Sequence, residues 1–290
     1  MSENKYIKVI ADENELKWWH KYAMPTLKPN EIYFVSMSIR KKRLSSEQRK
    51  VIPHNEMWNK QQIRHQGWEA FIKHIRRLEV RVDSYFPHES ADWINEAVVC
   101  YFNICPIDAY SAMKDQLNHL NEVMTSLTDS AIKNSKNGLE QSFYKVRKSF
   151  DTSQSLFARN FGEKCWIDFD IDFDDQDYWG KYELLRGYFN AQFGEGNTIF
   201  VRTGGGIHCL VRRSVYNINP NIIYDGVSKI FPNAKEIVKN DNQMIPLPGT
   251  WMYGDHSVCI LNKQDITEEM RPQTFSTSEM MSEEYSKVGD

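Results

Sequence analysis

Trp166-Ile167-Asp168-Phe169-Asp170-Ile171-Asp172-Phe173-Asp174-Asp175 alternates apolar and acidic residues. A period of two marks a β-strand rather than a helix. As a strand it sets Asp168, Asp170, Asp172 and Asp174 on one face and Ile167, Phe169, Ile171 and Phe173 on the other. The apolar face can enter a core, so the carboxylates are displayed together. Carboxylates two apart lie roughly 6.5–7 Å from one another at the backbone. Their side chains can lean onto two divalent cations about 3.5–4 Å apart, the arrangement that serves in-line phosphoryl transfer. Bound Mg²⁺ or Mn²⁺ removes the repulsion among four like charges. An acidic edge strand that blocks aggregation has the same alternation, so the stretch alone admits both readings.

The 290 residues suffice for one large domain or two small ones. With 41% hydrophobic and 26% charged residues, the composition is that of a soluble globular chain. No apolar run approaches the roughly 20 residues of a membrane helix, and the first residues do not begin a signal peptide. Five cysteines without CxxC spacing, three of them (Cys100, Cys165, Cys209) in apolar runs, point to buried reduced thiols. A cytoplasmic location is the expectation, with no membrane partner and no structural zinc. The net charge of −3 hides an asymmetry. Between Arg40 and Arg81 twelve Lys or Arg face four Glu, a local excess of eight. A basic region beside an acidic centre suits an enzyme acting on a polyanion, although a charge run is also an ordinary solvated face.

Outward from the acidic stretch, residues 31–37 and 97–102 read as strands, and 44–60 as polar and irregular. Trp68, Phe71, Ile72, Ile75 and Leu78 keep helical spacing over 67–82. Asp108 is a candidate N-cap for a helix reaching Leu127, followed by a loop and a basic helix within 128–162. Residues 178–193 and 221–231 read as helices. Residues 198–202, 207–213, 234–238 and 257–261 read as strands, with 240–254 as a loop. Helices and strands intermix without a βαβα rhythm, which predicts an α+β fold. The expected division is one domain over 1–262, with a basic α/β part at 1–130 and a motif-bearing part at 160–262, then a polar acidic tail at 263–290.

Two further segments carry chemistry. In Phe200-Val201-Arg202-Thr203-Gly204-Gly205-Gly206-Ile207-His208, a glycine turn joins two strands. Consecutive glycines let backbone N–H groups approach a phosphate, which a neighbouring His or Arg can neutralise; a purely structural turn is the alternative. In Val238-Lys239-Asn240-Asp241-Asn242, Asp241 follows an apolar strand, where it could enter a cleft or simply make a turn.

In this order and spacing the segments resemble the archaeo-eukaryotic primase superfamily. The resemblance rests on Phe169-Asp170-Ile171-Asp172-Phe173, Gly205-Gly206-Ile207-His208, Asp241 and Leu247-Pro248-Gly249-Thr250, and covers about residues 160–262. It implies a primase-type catalytic core with mixed or antiparallel sheets, one half RRM-like, flanked by helices. It further implies that Asp170, Asp172 and Asp241 are catalytic and hold two Mg²⁺ or Mn²⁺ ions. His208 would contact nucleotide phosphates, with Gly205, Gly206 and either Arg202 or Arg212 as helpers. Asp168 with Asp170 has the same alternation as Asp170 with Asp172; the apolar-Asp-apolar-Asp form favours the latter. The implied activity is that of a DNA primase or primase-polymerase using NTPs or dNTPs on single-stranded DNA.

The chain departs from the family pattern at three points. Gly206 stands where many members have serine, Met244 and Ile245 where a basic residue is common, and no zinc module or Gly-Lys-Thr/Ser phosphate loop is present. The compact form suggests a phage or plasmid enzyme working with a helicase or single-strand-binding protein in trans. A metal-dependent nuclease and a non-catalytic nucleic-acid-binding module are the competing expectations.

Overall fold

The acidic stretch forms strand β5 (Trp166–Asp172), the second-from-edge strand of a five-stranded antiparallel sheet. In the computed structural model the residues described are 5–25, 27–52, 57–64, 67–84, 86, 90, 92–133, 137, 140, 141, 164–173, 178–232, 234, 236–240, 244–254, 256–267 and 270. In chain order they form α1 (Glu13–Tyr22), β1 (Glu31–Ile39), α2 (Ser46–Val51), β2 (Met57–Ile63), α3 (Trp68–Arg76), β3 (Val98–Asn103), β4 (Ile107–Asp108), α4 (Ala109–Ile132) and β5. After β5 come α5 (Tyr178–Phe193), β6 (Thr198–Arg202), β7 (Gly206–Arg212), α6 (Pro220–Ile230), β8 (Glu236–Asn240), β9 (Met244–Pro246), β10 (Trp251–Met252), β11 (His256–Ser257) and β12 (Cys259–Ile260). The fold is α+β, and among the described residues it comprises two antiparallel sheets and the six helices above.

The first sheet runs β11-β10-β3-β1-β2, with β4 also on β1 and β9 also on β3. The second runs β12-β6-β7-β5-β8, and the connections β5-α5-β6 and β7-α6-β8 each pass through a helix. Strand periodicity then decides what each face buries. Ile167, Phe169 and Ile171 of β5, with Phe200, Ile207, Cys209 and Val211, pack against Tyr182, Leu185, Phe189 and Phe193 of α5 and Ile223 and Val227 of α6. Trp166, Ile199, Val201 and Leu210 point the other way, into the larger core shared with the first sheet. The Trp166 indole closes that end by donating to Ala23 O at 2.9 Å. The acidic face of β5 therefore looks toward the first sheet.

Several expectations need correction. Residues 44–60 contain α2, closed by a Ser45/Gln48 capping box, and the start of β2. Helix α1, held by the Asp12 side chain on Asn14 N and Glu15 N, precedes the first element expected from the sequence. Helix α3 stops at Arg76, well short of 82. The expected loop at 240–254 holds β9 and β10, and 257–261 divides between β11 in one sheet and β12 in the other. Asp108 does cap α4, accepting from Tyr110 N and Ser111 N, but the helix runs to Ile132. The expected basic helix within 128–162 lies almost wholly outside the described residues. The packed fold also passes residue 262: Asp265 makes two 2.8 Å hydrogen bonds with Arg186, and Ile266 is buried. Cys100 and Cys209 are buried, Cys165 is half-buried, and all five cysteines are free thiols. Among the described residues no helix is long and apolar enough to cross a membrane.

Candidate functional site

Depth along one strand face separates the aspartates. Trp166 and Asp168 are fully buried, whereas Asp170 and Asp172 are partly exposed, the Asp170 side chain to 27%. Burial falls along the strand from the Trp166 end to the Asp172 end. Register sets Asp170 opposite His208 of β7 and Asp172 opposite Gly206. The residue pair preferred by the apolar-Asp-apolar-Asp form is thus the wetter pair, and Asp168 is the dry one. Asp174 lies outside the described residues.

His208 bridges two of these carboxylates. Its Nδ1 lies 2.9 Å from Asp168 Oδ2, and its Nε2 lies 3.6 Å from Asp170 Oδ1. Burial by itself lowers the histidine pKa, but Asp168, Asp170 and Asp172 outweigh it and raise it to about 9. The ring is therefore an imidazolium at neutral pH, with an N–H at each nitrogen. A pKa raised above the unfolded value of about 6.5 gives stability that is fully present below that pH. It is lost as pH rises toward 9. In EDTA, urea unfolding at pH 6 and pH 9.5 should differ by at most about 3 kcal/mol from this group. His208→Gln should flatten that dependence.

The glycine turn is shaped by close approach. Thr203 N donates to Gly206 O at 3.0 Å, while Gly205 N and Gly206 N donate to Thr203 Oγ1 at 3.4 and 3.2 Å. Gly204 N faces the Met252 sulfur at 3.3 Å. All three N–H groups are engaged within the protein, so a phosphate at this turn would have to displace them. A Cβ on Gly206 would sit 2.1 Å from Ile171 O, which accounts for glycine where the resemblance leads one to expect serine. A Cβ on Gly204 would meet Tyr253 and His256 at 3.2 Å, so the β10–β11 hairpin of the first sheet packs on this turn. Tyr253 holds φ at 61°, a left-handed conformation uncommon for a non-glycine residue.

Two cations that motif spacing does not reveal lie against rings of the first sheet and its β10–β11 turn. Arg40, just past β1, lies over the Tyr101 ring at 5.1 Å, and Arg43 lies over the Tyr253 ring at 4.3 Å. Both arginines are exposed. Burial raises the Tyr101 hydroxyl above the usual tyrosine range; Arg40 opposes that shift and Asp170 adds to it. Tyr101 thus senses the arginine on one side and the carboxylate on the other. The only sequence signal for Arg40 and Arg43 is the basic run itself.

Neither arginine named from the motifs joins the site. Arg202 pairs with Ile207 and Cys259, on the helix-covered face opposite to His208, and it acts on the Cys259 thiol. Arg212 shares the His208 face but pairs with Trp166 at the closed end. Four residues of strand, roughly 13 Å, separate it from His208. It is half-buried, its Nε and Nη2 have no hydrogen-bond partner among the described residues, and burial lowers its pKa. Asp241 lies outside the described residues. Strand β8 does supply a carboxylate residue in register: Glu236 is directly opposite Asp172, while Asn240 is opposite Asp168. Directly opposed residues of an antiparallel ladder share a face. The expected strand at 234–238 already contained Glu236, but only the pairing identifies its neighbour.

The donor chemistry suits a hard divalent cation, since Asp170 and Asp172 offer carboxylate oxygens on the more exposed stretch of the strand. The buried Asp168 Oδ1 has no hydrogen-bond partner among the described residues. Among the described residues no group of three His, Cys, Asp or Glu is placed to hold a metal ion. Comparison of the chain with family models, curated proteins and solved structures gives no match.

Proposed function

We propose that the protein is a template-directed nucleotidyltransferase, a primase or primase-polymerase that joins NTPs or dNTPs on single-stranded DNA. The observation that carries this reading is the graded β5 face. It sets Asp170 and Asp172 on the more exposed stretch of the strand, Asp170 beside His208, with Tyr101 feeling both Asp170 and Arg40. The β5-α5-β6-β7-α6-β8 unit, in spatial order β8-β5-β7-β6 with both helices on one face, supports it as well. That is the split βαβ arrangement of an RRM-like half. In this reading Asp170 and Asp172, with Glu236 or Asp241, hold two Mg²⁺ or Mn²⁺ ions. When bound, such ions supply Lewis-acid activation of a 3′-hydroxyl and stabilise charge on the departing pyrophosphate. His208 presents Nε2–H to a phosphate oxygen, and Arg40 neutralises the triphosphate.

The decisive experiment incubates purified protein with primed and unprimed single-stranded templates, labelled NTPs or dNTPs, and Mg²⁺ or Mn²⁺. Dinucleotide formation or primer extension is expected; no product under any of these conditions overturns the reading. Asp241→Asn should lower the rate at least about a hundredfold and Glu236→Gln far less. The reverse ranking would assign the third ligand to Glu236. Arg40→Ala should raise the nucleotide KM about tenfold at unchanged Tm, because the side chain is exposed.

A non-catalytic nucleic-acid-binding module is the second reading, favoured by the lack of a three-ligand group among the described residues. It predicts template binding without synthesis, and binding unaffected by Asp170→Asn.

A further inference from the structure

Asp168, the first aspartate of β5, has apolar neighbours along its own strand face and across β7, with Asn240 opposite it on β8. Asp168 is fully buried; Trp166 precedes it on the same face, and Leu210 pairs with it across the ladder. Both neighbours are themselves buried in the large core. A carboxylate there is costly unless it is paired. Among the described residues one of its oxygens, Oδ1, has no hydrogen-bond partner, and the other meets His208 Nδ1 at 2.9 Å. The return on burying this charge is therefore concentrated on the imidazole. The ring is buried as well, and Val201 and Asp170 flank His208 across the two neighbouring ladders.

We propose that Asp168 is a positioning residue for His208, fixing the ring so that Nδ1–H is spent on the buried carboxylate and Nε2 is the atom turned toward the more exposed Asp170. The pairing works as second-layer carboxylates do behind functional histidines, by selecting which nitrogen faces the ligand and in what direction. Asp168 touches neither substrate nor the reacting atoms. Its effect is transmitted through His208 and rests on the proposed function, in which Nε2 meets a nucleotide phosphate.

The test is steady-state nucleotide addition by Asp168→Asn and Asp168→Ala, each made in the wild-type and His208→Ala backgrounds. Asp168→Ala should raise the nucleotide KM about tenfold, as His208→Ala does, with kcat within about threefold of wild type. Asp168→Asn should fall between, because its amide oxygen still accepts from Nδ1–H. Neither change should add to His208→Ala. Additive effects, a fall in kcat at constant KM, or no change where His208→Ala raises KM would each overturn the proposal. If Asp168→Ala does not fold, the Asn variant completes the cycle. If the wild type shows no nucleotide-dependent synthesis, the proposed function falls. The positioning claim is then decided by imidazole ¹⁵N–¹H spectra of metal-free protein. A protonated Nδ1 in one ordered ring environment supports it, and an unprotonated Nδ1 overturns it.

Discussion

Asp170→Asn and Asp172→Asn should each abolish nucleotide addition, by at least about a thousandfold, while leaving the fold and template binding in place. Asparagine keeps the shape and one oxygen of each side chain but removes the charge that holds a divalent cation. Both residues are partly exposed on β5, and their backbone pairing with β7 and β8 does not depend on the carboxylates. Tm should therefore move by no more than about 4 °C. Retention of more than about a tenth of the wild-type rate by both variants, in Mg²⁺ and in Mn²⁺, would exclude them from the chemistry. Asp168→Asn provides the internal contrast, since it lies on the same face but at the dry end and should act on KM through His208.

The second large effect falls on the fold. Gly206→Ala should cost at least about 3 kcal/mol in urea unfolding and remove activity with it. Its Cβ would lie 2.1 Å from Ile171 O, 2.9 Å from Ile171 C and 3.0 Å from Asp172 Cα, all backbone atoms of the adjacent strand. No side-chain movement relieves that contact, so the ladder setting Asp170 opposite His208 has to open. The φ of Gly206 is not positive, and left-handed strain plays no part. Gly205→Ala meets only Asp172 Oδ1, at 3.3 Å, and should fold within about 1 kcal/mol of wild type. Equal stability of the two variants would show that β5 and β7 do not approach this closely.

Where a local pattern sets the outcome, the sequence reading and the structure coincide. Helix α5 spans Tyr178–Phe193 as its apolar pattern predicts, β6 spans Thr198–Arg202, and Asp108 caps α4. The short strands β9, β10 and β11 are different. They carry two or three residues each and exist because their backbone groups find partners on β3 or on one another, a fact no periodicity encodes. Arginine choice shows the same limit. Arg202 and Arg212 flank the motif in sequence, yet alternation sends the first to the helix side, and strand length carries the second to the closed end. Arg40, just past β1 of the other sheet, lies over the Tyr101 ring.

By itself, the sequence determined the face. Alternation over Trp166–Asp172 is a local consequence of strand geometry, and it requires that Asp168, Asp170 and Asp172 share one side and the apolar residues the other. Only the tertiary structure decided the depth. Burial falls along that face from the Trp166 end to the Asp172 end, so three chemically identical side chains become one buried partner of His208 and two partly exposed carboxylates. Periodicity fixes direction from the strand axis, whereas burial along the axis depends on residues more than sixty positions away that the chain brings over it.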